Sequence, residues 1–248
     1  MDLHLFALRG LPDVERGANL GELVAAAVEH TGCTIEPGDV FVVAQKIVSK
    51  AEGAVVPLDD VTPSSTATRW AEETGRDARA IEVVLRESRR IVRMGQGVLI
   101  AETRHGFVCA NAGVDASNVP AGFVTRLPDD PDASAERLRA ALADRFGVPV
   151  AVIVSDTFGR PWREGAVNVA LGVAGLQPLV DYRGAADTFG RPLTSTIIAL
   201  ADELAGAAEI VTRKTTGTPV AIVRGAAEWM GEGHARTLVR PADRDLFR

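Results

Sequence analysis

Residues 149–157 read Pro-Val-Ala-Val-Ile-Val-Ser-Asp-Thr. Five apolar residues with no polar alternation describe a strand covered on both faces. The run ends abruptly in hydroxyl, carboxylate and hydroxyl. Residues 39–44, Asp-Val-Phe-Val-Val-Ala, repeat the pattern and pass directly into Gln45-Lys-Ile-Val-Ser-Lys50, read as a turn into further strand. Leu3, Leu5 and Ala7 alternate with Asp2, His4 and Phe6 as a short strand broken by Gly10-Leu11-Pro12. Asn19 caps an expected helix over 20–30, which Gly32 ends. Further helices are expected from Ser65 or Thr66 to about Thr74, over 79–88, 135–146 and about 195–205. Residues 98–101 and 106–110 read as a strand pair, and 220–224 as the last strand. Residues 128–134 read as a break, and Gly159 to Gly165 as a loop. The elements follow no strict βαβ order and no internal repeat, so the expected class is α+β rather than a doubly wound sheet.

The composition narrows the function. The chain has 248 residues, 46% hydrophobic and 24% charged, with a net charge of −6. It is long enough for a substantial core and is neither disordered nor a disulfide-stapled miniature. An acidic chain has no broad cationic field for a polyanion, and its few aromatics form no stacking platform, so nucleic-acid binding is not expected. A small phosphorylated ligand needs only a local basic pocket. Cys33 and Cys109 stand far apart in apolar surroundings and read as free thiols. His4, His30, His105 and His234 are scattered and read as structural or surface residues. The N-terminus does not read as a signal peptide, and no apolar run approaches the roughly 18 residues a spanning helix needs. A cytoplasmic protein with no membrane partner is expected.

Of the 27 basic residues only Lys46, Lys50 and Lys214 are lysine, and two of them lie four residues apart after a buried strand. Lysine ammonium groups placed there suit phosphate charge. Asp156-Thr157 offers oxygen donors of the kind Mg²⁺ and Mn²⁺ take. Arg160 and Arg163 follow within the same stretch, and arginine forks match phosphate or carboxylate oxygens. Asn111-Ala-Gly-Val-Asp-Ala-Ser-Asn118 has few bulky side chains, so Asp115 could complete a carboxylate metal site and Asn118 could bond a base or ribose. An Asx-rich turn is the competing reading of the same residues. Thr212-Arg-Lys-Thr-Thr-Gly-Thr-Pro219 could cradle an anion with amides and hydroxyls, although neither a P-loop nor a dinucleotide glycine motif is present.

Four stretches occur in register: Gly10-Leu-Pro-Asp-Val14, Gln45-Lys-Ile-Val-Ser-Lys-Ala-Glu-Gly53, Asn111 to Asn118, and Ser155-Asp-Thr-Phe-Gly-Arg-Pro-Trp-Arg-Glu-Gly165. Together they resemble the coenzyme F420-0:L-glutamate ligase family, with the similarity running from about Leu8 through Pro219-Val-Ala-Ile-Val-Arg-Gly225. The resemblance implies GTP-driven amide formation on F420-0 through an acyl phosphate, extending a γ-linked oligoglutamate tail. It implies Mg²⁺ or Mn²⁺, up to two ions, and admits K⁺. Asp115 and Asp156 would bind one ion and Thr157 a second. Leu11, Pro12, Asp13, Val14, Gln45, Lys46, Lys50 and Asn118 would lie against GTP, with Thr212, Lys214 and Thr215 closing its far end. Asp156, Arg160, Arg163 and Lys50 are the expected catalytic set. Many members carry glycine and glutamine where Arg213 and Lys214 stand; the Lys214 ammonium cannot ligate a metal and would replace part of its charge. The resemblance further implies two interlocked subdomains, with about 65–180 inserted between N- and C-terminal parts of one ligase unit, and a butterfly-like homodimer. Residues 243–248 resemble the junction to a second domain. Two other readings remain open at this point: a metal-dependent phosphohydrolase, and a non-catalytic nucleotide-binding module for a missing C-terminal domain.

Overall fold

The two apolar runs lie side by side. In the computed structural model, which describes residues 2–95 and 97–246, Val40 to Ala44 pairs in parallel with Ala151 to Ser155. The last two residues of the 243–248 junction stretch fall outside the described residues. In chain order the first elements are β1 (His4–Ala7), α1 (Leu20–Thr31), β2 (Val40–Ala44), α2 (Gln45–Ala51) and β3 (Val55–Pro57). Next come α3 (Ser65–Thr74), α4 (Ala78–Glu87), β4 (Ser88–Gly95), β5 (Val98–Thr103), β6 (Val108–Ala110) and β7 (Phe123–Thr125). The chain continues through α5 (Pro131–Phe146), β8 (Ala151–Arg160), β9 (Arg163–Ala174), β10 (Val180–Asp181), β11 (Ile197–Ile198), α6 (Leu200–Thr212) and β12 (Val220–Arg224). The class is α+β.

The main sheet has the order β1-β12-β2-β8-β9. Only β2 and β8 are parallel neighbours; the other contacts in this sheet are antiparallel. Val40, Phe41, Val42 and Val43 are all buried, as a strand with both faces covered requires. One face packs on α1 and α5 through Phe41, Val43, Val152, Val154, Val24, Val28, Leu138 and Leu142. The other packs on α6 through Val42, Ile153, Val223, Leu200, Leu204 and Ala208. A third core, built from residues 58–124, joins α3 and α4 to the β4-β5-β6 sheet. The stretch 65–180 therefore divides, with its later part, 131–174, packed on or inside the main sheet. Among the described residues no helix is long and apolar enough to cross a membrane.

Several elements differ from their sequence reading for identifiable reasons. Residues 45–50 form a helix, not a turn into strand: Ile47 and Val48 bury against the first core, and that packing outweighs their β-branched preference. Asp130 caps α5 and Pro131 opens it, so the proline read as a break is a helix start. Ser64, one residue earlier than expected, caps α3. The last helix begins at Leu200 and runs to Thr212, shifted from 195–205. Gly159 to Gly165 is not a loop: β8 continues to Arg160, turns at Pro161-Trp162, and returns as β9 with Arg160 opposite Arg163.

Candidate active site

Sheet topology brings the separated motifs together. β1, β2 and β8 run in one direction and β12 in the other, with Val220 opposite Val43 and Ala44 opposite Ser155. The segments leaving β1, β2 and β8 and the segment entering β12 therefore meet at one edge of the sheet. This is the crevice outside strand carboxyl ends where open sheets bind ligands. A cavity of about 830 Å³ lies there. Its wall includes Leu11, Pro12, Asp13 and Val14; Gln45, Lys46 and Lys50; Asp115 and Asn118; Asp156 and Thr157; and Thr212, Lys214 and Thr215.

Asp115 is held by its neighbours. Its backbone pairs with Thr125 in both directions, at 3.0 and 2.8 Å. The Ser117 N–H donates to its Oδ1 and the Ser117 hydroxyl to its Oδ2, both at 2.8 Å. Lys46 Nζ lies 2.6 Å from Oδ2 and also donates to the Ser117 carbonyl. Burial alone would raise the Asp115 carboxyl, but the Lys46 and Ser117 bonds outweigh it and hold it below the usual range. The preceding turn is left-handed at three consecutive residues: φ is 52° at Asn111, 51° at Ala112 and 75° at Gly113. Such backbone strain concentrates at functional sites. A Cβ on Gly113 would also sit 2.6 Å from a Leu127 side-chain carbon.

Asp156 is different. Burial pushes its carboxyl up to about 6, and the Asp115 charge adds to the shift; the Thr157 N–H, Lys214 and Lys46 act against it. Thr157 donates its hydroxyl to Asn168 Oδ1 at 2.6 Å and accepts from Lys214 Nζ. Lys50 Nζ lies 2.7 Å from Asp13 Oδ1, and this bond holds the Asp13 carboxyl low. Gln45 is buried, with its amide donating to the Arg126 carbonyl at 3.2 Å, so its NH₂ group is already engaged.

The donor set fits one divalent ion. Asp115 and Asp156 face the same cavity, and an ionised carboxylate at Asp156 lacks a direct cation partner among the described residues. Among the described residues no three His, Cys, Asp or Glu side chains are grouped closely enough to hold a metal by themselves. A hard cation would complete its oxygen shell from phosphate or water. Thr157 fits a second divalent ion poorly, because an ammonium group already occupies its hydroxyl.

Arg160 and Arg163 are not brought to the cavity. Four residues of extended strand separate Arg160 from Asp156, about 13 Å at the usual rise. Arg160 is exposed and its guanidinium donates to the Gly165 carbonyl of its own hairpin. Two polar cavity residues lie outside every stretch singled out from the sequence: Asn168 and Glu209. Asn168 is a polar side chain in an otherwise small, apolar stretch, and Glu209 is an acid in the last turn of a helix, where the dipole disfavours it. Only Asn168 was available as a signal, since the helix expected over about 195–205 stops short of Glu209.

A family model for the F420-0:Gamma-glutamyl ligase matches residues 10–225. The coenzyme F420:L-glutamate ligase of Methanothermobacter thermautotrophicus is 45% identical over 251 residues, covering 100% of both chains. The enzyme of that name from Methanopyrus kandleri is 49% identical, covering 95% of this chain and 93% of its own. That from Methanocaldococcus jannaschii is 45% identical, covering 93% of this chain and 90% of its own.

Proposed function

Because the chain belongs to the F420-0:Gamma-glutamyl ligase family, we propose that it joins L-glutamate to coenzyme F420-0 at the expense of GTP. The observation that carries this reading is the convergence of Asp115, Asp156, Thr157, Lys46, Lys50 and Lys214 on one cavity. A carboxylate acceptor, a nucleoside triphosphate and an amino acid are all anionic, and gathering them requires fixed positive charge in a partly dry site.

The reaction has two displacements. A carboxylate oxygen of F420-0 attacks the γ-phosphorus of GTP; the bond to the β-phosphate oxygen breaks and GDP leaves. The amine of L-glutamate, having lost a proton, attacks the resulting acyl phosphate at carbon, and inorganic phosphate departs. Repetition would lengthen a γ-linked tail. Lys46 and Lys50 lie on α2, line the cavity and suit phosphate oxygens. Lys214 sets a fixed charge at Thr157, against the transferring group. Asp115 and Asp156 would hold Mg²⁺ or Mn²⁺, which supplies neutralisation of phosphate charge when bound. Leu11 to Val14 and Asn118 line the same hollow and would border the nucleotide.

The reading extends to a cytoplasmic homodimer of butterfly-like form with two interlocked subdomains. Exposed apolar residues outside the cavity support an assembled state: Trp162 at 81%, Phe189 at 84% and Ile210 at 72% accessibility. The direct test incubates the protein with F420-0, L-glutamate, GTP and Mn²⁺ and follows product mass, with ATP and metal-free controls. Product heavier by glutamyl units only with GTP and metal is expected. Equal product with ATP would remove the nucleotide assignment, and none at all would remove the ligase.

A further inference from the structure

Helix α6 ends against the cavity with two charges of opposite sign. Glu209 and Arg213 both line it, one helical turn apart, and the Arg213 N–H donates to the Glu209 carbonyl at 2.9 Å. Among the described residues neither side chain has an ion-pair partner, and they do not pair with each other.

Both residues are placed at a cost. Arg213 has φ 54° and ψ 170°, a left-handed conformation that favours glycine and strains a residue bearing Cβ. Glu209 sets a negative charge in the last turn of a helix, at the dipole end where a cation is preferred. Among the described residues no ion-pair partner offsets either charge. An unpaired acid and an unpaired guanidinium on one cavity wall match a ligand that carries both charges itself.

We infer that Glu209 and Arg213 form the amino-acid subsite, Arg213 taking a carboxylate of the incoming amino acid and Glu209 its ammonium group. Identifying that amino acid as L-glutamate rests on the ligase reading. The remaining charged side chains of the cavity leave this division of labour open to them. Lys46 and Lys50 are each engaged by an aspartate, and Lys214 by Thr157. The guanidinium fork suits a carboxylate held in two bonds.

The test is isothermal titration calorimetry of the full chain with GDP and Mn²⁺ present, using L-glutamate and glutarate, which has both carboxylates and no ammonium. Wild type should bind L-glutamate at least ~10-fold more tightly than glutarate. Arg213→Gly should weaken both ligands by ~10-fold or more, without lowering Tm, because glycine relaxes the strained backbone. Glu209→Gln should erase the preference for glutamate over glutarate. Both variants should keep GDP affinity within about threefold, which a general loss of structure would not allow. Unchanged L-glutamate affinity in either variant, or no L-glutamate binding by wild type, would overturn the subsite. The two readings fail separately. Ligation product from wild type with normal glutamate binding by the variants removes only the subsite. Arg213-dependent glutamate binding without ligation product removes only the ligase.

Discussion

Lys46 and Lys50 on α2 stand 2.6 and 2.7 Å from Asp115 and Asp13, whereas in the same cavity Glu209 on α6 and Arg213 just after it have no ion-pair partner among the described residues. The first wall has its charges balanced within the chain, and Asp115 is further fixed by Ser117 and Thr125. The second holds charge in reserve. The difference teaches that a site for several anions need not be uniformly cationic. One wall can be organised in advance by its own aspartates, while the other leaves opposite charges for a ligand to complete. Asp156 belongs to the same cavity, on β8 one residue beyond the last β2 pairing at Ser155.

The largest expected effect comes from removing that group. Asp156→Asn should lower ligation turnover by about 10³-fold, the scale of losing a preorganised electrostatic group, while the chain stays folded. Near-normal turnover by mass spectrometry would show that the two walls act without it. Next is Lys46→Met, which strips the organised wall of one of its two lysines and leaves the Asp115 carboxylate held by Ser117 without a cation. A loss of about 10- to 100-fold in kcat/KM for GTP is expected, with KM for L-glutamate little changed. If glutamate KM rose instead, the division between the walls would be wrong.

A pH experiment sharpens the contrast through stability. The folded Asp156 carboxyl titrates near 6 against an ordinary 3.8. Between these values the folded chain holds a proton the unfolded chain has released, so stability falls as pH rises through the window. It is lost fully above pH 6, on the order of 3 kcal/mol. Asp156→Asn cannot ionise, so its Tm should exceed wild type by about 6–12 °C at pH 7 and converge with it below pH 4. Scanning calorimetry reads this, and a gap independent of pH would refute the burial of that charge. Asp115 shifts the other way, held low by Lys46 and Ser117, and should stay ionised throughout.

These effects trace which parts of the molecule were legible in the sequence. Val40 to Val43 and Ala151 to Val154 announce themselves because burial on both faces excludes polar residues from a strand. Asn19 and Gly32 mark both ends of α1 through local bonds, an oxygen on the Glu22 N–H and a left-handed glycine. The lysines of the cavity's first wall stood out for a chemical reason: two of only three lysines follow directly on a buried strand. The parallel pairing of β2 with β8 did not, since two apolar runs carry no sign of their relative direction. Residues 45–51 misled because Ile47 and Val48 favour strand until the core they fill is known. Glu209 was invisible for want of a motif, and its meaning comes only from the helix end and the cavity around it.

A smaller effect is expected from Gly113→Ala on the loop that carries Asp115. The new methyl meets Leu127 at 2.6 Å with the backbone already left-handed, so about 1–3 kcal/mol of stability should go. The glutamate-binding wall should be untouched. Calorimetry that shows no loss would mean the strained turn relaxes freely.

The smallest effect should come from the hairpin tip, and it bears on how far the site extends. Arg160 and Arg163 were the expected catalytic arginines, yet β8 carries Arg160 about 13 Å along the strand from Asp156, and Arg163 opens β9 opposite it. Their surroundings are solvent and their own hairpin, with Trp162 at the turn 81% exposed. If each chain works with its own cavity, Arg160→Ala and Arg163→Ala should change turnover by less than about threefold and stability by under about 0.5 kcal/mol. The hairpin tip is also strongly exposed, from Arg160 through Glu164. A loss of tenfold or more in either variant, with Tm unchanged, would therefore place the tip against a cavity of a second copy. In that case the reserve of charge would belong to the assembly, with Arg213 on one chain and the tip arginines of its partner sharing the carboxylates that enter.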